Sequence, residues 1–312
     1  VSLYSLLSRK GPSGFGYGST AEEVTAGLSL QGKTILITGC NSGLGFEAMG
    51  ALARRGAHVI GAARTLEKAQ TACGSVSGKT SAVACELADP QSVLQCVSTV
   101  NGFRISLDAI ICNAGIMALP KLTLAHGYEL QFFTNHIGHF ILVNGLLGVL
   151  ADNGRVVMLS SAAHQVAPKG GIQFDNLSGE KGYRPWAAYG QSKFANLLFA
   201  KELARRLTGT ERTANAVHPG VIQTNLGRYM GGSAFVTRSF YGIGGALFVK
   251  TIPQGAATEC FVAVNPSASR LSGLYFSNCN PTRPRADAQD PALAQKLWDV
   301  SEKIVAEIGA AR

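Results

Sequence analysis

The chain has 312 residues, 46% hydrophobic and only 15% charged, enough apolar material to bury one large core, so a single domain at the upper size limit is expected. Its formal charge is +9, but the Lys and Arg residues are dispersed, form no long block and are not interleaved with aromatic residues, which excludes a nucleic-acid-binding face. The seven cysteines, Cys40, Cys73, Cys85, Cys96, Cys112, Cys260 and Cys279, form no C-x-x-C pair, and several sit in apolar runs, as expected in the cytoplasm or another reducing compartment.

The apolar run from Val1 to Leu7 ends at Arg9 and Lys10, short of the ~20 residues a membrane span needs. No transmembrane segment is expected in this chain, with peripheral membrane association and a segment upstream left open. Residues 1–32, rich in Gly and Ser from residue 11 on, read as an N-terminal surface arm, and 33–312 as one catalytic domain. Strand and helix patterns then alternate: strand 34–38, helix 43–55, strand 57–63, helix 66–73, strand 81–87, a helix opened by Pro90, and strand 107–112. A long helix at 128–150, strand 155–160, helix 187–207, strand 213–217, a short strand 273–276 and a helix 291–308 complete the chain. Repeats of this length imply an α/β fold, a doubly wound parallel sheet with helices on both faces, and ligands in such a sheet bind outside the carboxyl ends of the strands.

The first of those ends carries Gly39, Gly43 and Gly45 with Asn41, Ser42 and Leu44 between them. Glycines there let the backbone reverse from strand to helix with no Cβ in the way of a pyrophosphate, which the helix N-terminus attracts. The second strand ends in Ala63 and Arg64 with no acid before Glu67, and a guanidinium forks onto a ribose 2′-phosphate, whereas an acid would bind the ribose hydroxyls. Tyr189 and Lys193 lie four apart on one helix face. A phenol titrates near ~10 in water, and a neighbouring ammonium and an oxidised nicotinamide lower that value toward proton exchange at neutral pH. Ser161, at the end of the fifth strand, supplies a hydroxyl to hold a substrate oxygen beside the phenol. His136, His139 and His164 invite a metal reading, but no carboxylate or cysteine completes a ligand set at suitable spacing, so no metal is expected. Asp89 and Asp108 read as cap or loop residues.

The segments TGCNSGLG at Thr38 to Gly45, NAG at Asn113 to Gly115, SSAAH at Ser160 to His164, YGQSK at Tyr189 to Lys193 and HPGVIQT at His218 to Thr224 resemble, in order and spacing, the NADP(H)-using short-chain dehydrogenase/reductases of Rossmann type. Within that family the FFTNHIGHF stretch at Phe132 to Phe140, the GLYFSNC ending and the N-terminal arm are similar to the retinol dehydrogenase, WW-domain oxidoreductase and Tic32 group. The resemblance implies a tetrad: Asn135 fixes its helix so that water links Lys193 to solvent, Ser161 orients the substrate carbonyl, Tyr189 is the acid/base, and Lys193 binds the nicotinamide ribose. It further implies that Asn113, Ala114 and Gly115 line the adenine-ribose side, and that Pro219, Gly220, Ile222 and Thr224 hold the nicotinamide end. The family commonly has Asp where this chain has Glu86, next to Leu87, so those two are cofactor-binding candidates in which the family's contact to adenine is altered.

Residues 225–252, with Met230, Phe235, Phe240, Tyr241, Ile243, Leu247 and Phe248, are the candidate lid, although their periodicity fits core helices equally well. As a lid they imply an apolar carbonyl or alcohol: a retinoid, a steroid, or a long-chain or aromatic aldehyde or ketone. An NADPH-responsive regulatory or scaffold protein is the competing reading, while the glycine gaps of three and one disfavour a sugar-nucleotide epimerase. A monomer or homodimer is expected.

Overall fold

The computed structural model describes residues 8–222 and 249–310. Thr224 and residues 225–248 of the expected lid lie outside the described residues.

Strand β1 (Thr34–Thr38) is buried along its whole length, and its side chains alternate between two cores: Leu36 enters one, Ile35 and Ile37 the other. It pairs in parallel with β2 (His58–Ala63) on one side and β4 (Leu107–Cys112) on the other, and β2 pairs with β3 (Thr80–Ala84). Beyond β4 follow β5 (Leu150–Leu159), β6 (Thr213–His218), β7 (Tyr275–Ser277) and the antiparallel edge strand β8 (Asn280–Pro281). The eight-stranded order is β8-β7-β6-β5-β4-β1-β2-β3. Strand order reverses between β1 and β4, where a doubly wound sheet opens its crevice.

One face of the sheet carries α1 (Ala21–Thr25), α2 (Gly43–Arg54), α3 (Leu66–Gly74) and α7 (Ile252–Val264). The other carries α4 (Pro90–Gly102), α5 (Gly138–Leu146), α6 (Pro185–Arg206) and α8 (Pro291–Ala310). Local chemistry sets the helix starts. Asp89 accepts from the Gln91 N–H with Pro90 at the first helical position, and Thr20 and Thr251 form capping boxes with Glu23 and Gln254. Asp108 lies within β4 rather than in a loop, where it takes the Thr34 N–H at 2.8 Å and the Lys33 ammonium at 2.9 Å.

Several boundaries differ from the sequence reading. The expected helix at 128–150 opens with a two-residue strand, Tyr128–Glu129, continues through a π-turn at Phe133–Ile137 and only then becomes α5. By length and composition, 130–149 could cross a bilayer, but most of it is buried in the fold, as in a core helix. Strand β3 stops at Ala84, so Cys85, Glu86 and Leu87 form a loop instead of a strand end. The segment before β1 does not lie wholly on the surface: Ala21, Val24 and Leu30 are buried in the α2/α7 core, and Asn265 donates to the Val24 carbonyl.

Candidate active site

At the β1/β4 reversal lies a cavity of about 380 Å³. Its walls come from strand ends: Gly39 and Asn41 to Leu44 after β1, Arg64 after β2, Glu86 and Leu87 after β3, and Asn113 to Gly115 after β4. Gly39 has φ +71, a left-handed value suited to glycine, and a Cβ there would sit 3.0 Å from the Ala114 Cα. A Cβ on Gly45 would come within 2.5 Å of both the Asn113 amide and the Gly39 carbonyl oxygen. Gly45 therefore packs behind the turn and does not line the cavity, whereas Ser42 and Gly43 line it and Ser42 makes no side-chain cap to the first turn of α2. The turn is tied to β4 by the Asn113 amide donating to the Thr38 carbonyl at 2.8 Å and the Ala114 N–H donating to the Thr38 hydroxyl at 3.0 Å. Arg64 is exposed at the rim. The Glu86 carboxylate accepts from the Ala88 N–H at 3.2 Å.

Four expected residues converge beside this cavity. Ser161 follows β5, with its hydroxyl accepting from the Ala163 N–H at 3.1 Å. Tyr189, on α6, is 7% exposed, and its phenol lies close enough to Ser161 for that side chain to pull its pKa down. Lys193, one turn on, donates to the Leu159 carbonyl at 2.9 Å and holds its ammonium 5.8 Å from the Tyr189 ring centroid. Burial pushes the phenol up to about 12 against the opposing pull of Ser161, and burial lowers Lys193 to about 8. Desolvation thus shifts the phenol in the direction opposite to the acidification expected from the ammonium.

Asn135 sits in the π-turn, wholly buried. Its side-chain oxygen accepts from the Ile116 N–H at 2.8 Å, and its amide donates to the Ile116 carbonyl and the Ser192 hydroxyl, both at 2.9 Å. Gly115 lies between it and Lys193: a Cβ there would fall 2.9 Å from the Asn135 oxygen and 3.3 Å from the ammonium. Pro219, Gly220 and Ile222 stand apart from the cavity wall, although Ile222 and Leu44 both pack over Gly255 on α7.

Some participants carry no local signal in the sequence. His139 donates from Nδ1 to the Asn135 carbonyl at 2.9 Å and takes the Thr38 hydroxyl on Nε2 at 2.9 Å, so it joins the π-turn to the glycine turn. Burial lowers His139 to about 4 and keeps it neutral. Ala118, at φ +48, donates to Gln131 at 2.6 Å, while Tyr183 donates to the Leu119 carbonyl at 2.6 Å. Ile116 and Leu119 of this braced loop line the cavity. Trp186, exposed, stands edge-on to Tyr189 at 6.1 Å. The bonds of His139 to Thr38 and of Tyr183 to Leu119 span 101 and 64 residues, beyond the reach of periodicity or spacing. His136 is buried against Phe132, Phe140 and Phe199 with Nε2 on the Ser301 hydroxyl, and among the described residues no three His, Cys, Asp or Glu form a metal-binding group.

The geometry has counterparts in known proteins. The chloroplastic short-chain dehydrogenase TIC 32 B of Brassica napus is 40% identical over 98% of this chain and 99% of its own length. Human retinol dehydrogenase 14 is 39% identical over 88% of this chain and 87% of its own. A short chain dehydrogenase from Burkholderia cenocepacia, solved in complex with NADP, superposes with a TM-score of 0.63 at 26% identity, covering 79% of this chain and 96% of that one. The short chain dehydrogenase profile matches residues 33–231, and with the parallel sheet, the glycine turn and the Ser161, Tyr189 and Lys193 cluster it establishes that this chain belongs to the short-chain dehydrogenase family of oxidoreductases.

Proposed function

We propose that this chain reduces apolar aldehydes or ketones with NADPH and runs the reverse oxidation with NADP, using Tyr189 as its acid/base. The observation that carries the reading is the buried Tyr189 phenol, with Ser161 acting on it and the Lys193 ammonium one turn away, beside a cavity rimmed by Arg64. The lining fits a dinucleotide: Ser42 and Gly43 face the cavity at the start of α2, where no side chain caps the first turn, and a cation, not an acid, follows β2. Gly39 to Leu44 hold the pyrophosphate, Arg64 the 2′-phosphate, and Asn113 to Gly115 the adenine-side ribose. Lys193 keeps N–H donors beyond its bond to Leu159 for the nicotinamide ribose, and Pro219, Gly220, Ile222 and Thr224 close the nicotinamide end. When bound, the cofactor supplies hydride.

Ser161 holds the carbonyl oxygen, and Tyr189 gives that oxygen a proton as the carbon is reduced. A phenol raised to about 12 keeps its proton at neutral pH and is ready to donate. In the oxidative direction it has to lose that proton, and positive charge docked beside it favours the phenolate. Trp186, one turn before Tyr189, offers an aromatic wall to an apolar substrate, in keeping with the apolar sequence of residues 225–248. Seven free, buried cysteines suit a reducing compartment.

The test is NADPH oxidation by the purified chain across apolar aldehydes, ketosteroids and small polar ketones. Turnover is expected with the apolar members. Arg64→Ala is expected to raise the KM for NADPH about tenfold or more and leave NADH nearly unchanged, the scale of a lost charge-assisted bond. Tight NADPH binding without turnover on any member identifies the regulatory reading instead.

A further inference from the structure

The peptide joining Ser161 to Ala162 is gripped on both of its polar atoms by histidines. The Ser161 carbonyl oxygen accepts from His164 Nδ1 at 2.6 Å, and the Ala162 N–H donates to His218 Nδ1 at 3.1 Å. A carbonyl can only accept, so His164 carries its proton on Nδ1, and its bare Nε2 takes the Arg285 backbone N–H at 3.2 Å. A backbone N–H can only donate, so His218 Nδ1 is bare and the ring's proton is on Nε2. The Gly220 N–H converges on the same Nδ1 at 3.4 Å.

We infer that His164 and His218, neutral and in opposite tautomers, clamp the Ser161–Ala162 peptide and thereby set the Ser161 hydroxyl against Tyr189. The purpose of that placement rests on the function proposed above. His218 ends β6, so its ring also fixes the Ser161 loop against the Pro219–Gly220 loop. The surroundings favour neutrality. Burial, then Lys250 and His164, lower His218 to about 4. Burial and Arg285 lower His164, opposed by the Ser161 carbonyl and by Asp287. With His218 Nδ1 protonated, one N–H would face two others. Both histidines are positioning residues.

Side-chain geometry supplies the test. Asparagine places its oxygen near the position of a histidine Nδ1, and glutamine places its own near Nε2. His218→Gln is expected to lower kcat about 10- to 100-fold, the cost of moving a reacting group by ~1 Å, while His218→Asn stays within about 3-fold. The NADPH dissociation constant is expected to hold in His218→Asn, which keeps both contacts at the Nδ1 position. Equal effects of the two substitutions on kcat overturn the clamp. Imidazole nitrogen shifts of the wild type at pH 7 give a readout free of turnover: a proton on Nδ1 of His164 and on Nε2 of His218 is expected, and a charged or reversed ring overturns the inference. If those shifts are as expected and no carbonyl is reduced, the clamp stands and the proposed activity fails.

Discussion

Two buried groups give residue-scale predictions with definite signs. Lys193 is lowered from 10.5 to about 8, so it sheds its charge as pH rises through about 8. Carbonyl reduction is accordingly expected to lose rate through that window, and a pH profile of kcat/KM that stays flat to pH 10 would show that the ammonium is not needed. Glu259, on α7, has both carboxylate oxygens buried without a hydrogen-bond partner among the described residues, and burial raises it to about 8. The folded state therefore favours the protonated acid, while the unfolded chain ionises near 4.5. This group's contribution to stability is full below about pH 4.5 and drains away as pH climbs to about 8. Glu259→Gln, which cannot ionise, is expected to raise Tm by ~2 °C or more at pH 8 and by less at pH 5. Thermal melts showing the same shift at both pH values would contradict the assignment.

At the scale of elements, the cofactor cleft depends on how closely α5 approaches the loop after β3. A Cβ on Gly138 would collide with the Leu87 carbonyl and lie 2.8 Å from the Leu87 Cβ. Gly138→Ala is expected to cost about 1–3 kcal/mol by overpacking and to weaken NADPH binding, because Leu87 lines the cavity. Denaturant melts and cofactor fluorescence measure both, and unchanged values would show that the loop yields freely. The sequence made most of this geography legible. The run before Gly39, the placement of Arg64, Asn113 and Ser161 after strands, and the four-residue spacing of Tyr189 and Lys193 all express local periodicity or backbone demand. What escaped depends on tertiary contacts. The π-turn in 133–137 seats Asn135, whose partner Ile116 is 19 residues away, and His218 meets the Ser161 loop across 56 residues. Neither pairing has a periodic signature.

On the scale of the whole molecule, the packing of α6 bears on assembly. Every residue of α6 from Tyr189 to Ala200 is buried within the single chain. On α8, Trp298 stacks on Phe199 at 5.5 Å, meets Phe140 edge-on at 5.0 Å and carries the Arg206 guanidinium at 4.1 Å. Phe140 of α5 and Phe199 of α6 are thus covered by the chain's own C-terminal helix. A monomer is expected by sedimentation at micromolar concentration, and a stable dimer would mean that another surface associates. Trp298→Ala is expected to destabilise the fold by about 3–5 kcal/mol in chemical melts, the usual cost of deleting a buried aromatic.

The most direct test of the central claim is a paired measurement on Tyr189→Phe, which keeps the ring and removes the hydroxyl. NADPH affinity is expected to remain close to that of the wild type, while carbonyl turnover falls about 10²- to 10⁴-fold, the range for a lost general acid. Turnover within a few-fold of the wild type at unchanged affinity would contradict a proton-transfer role for this phenol.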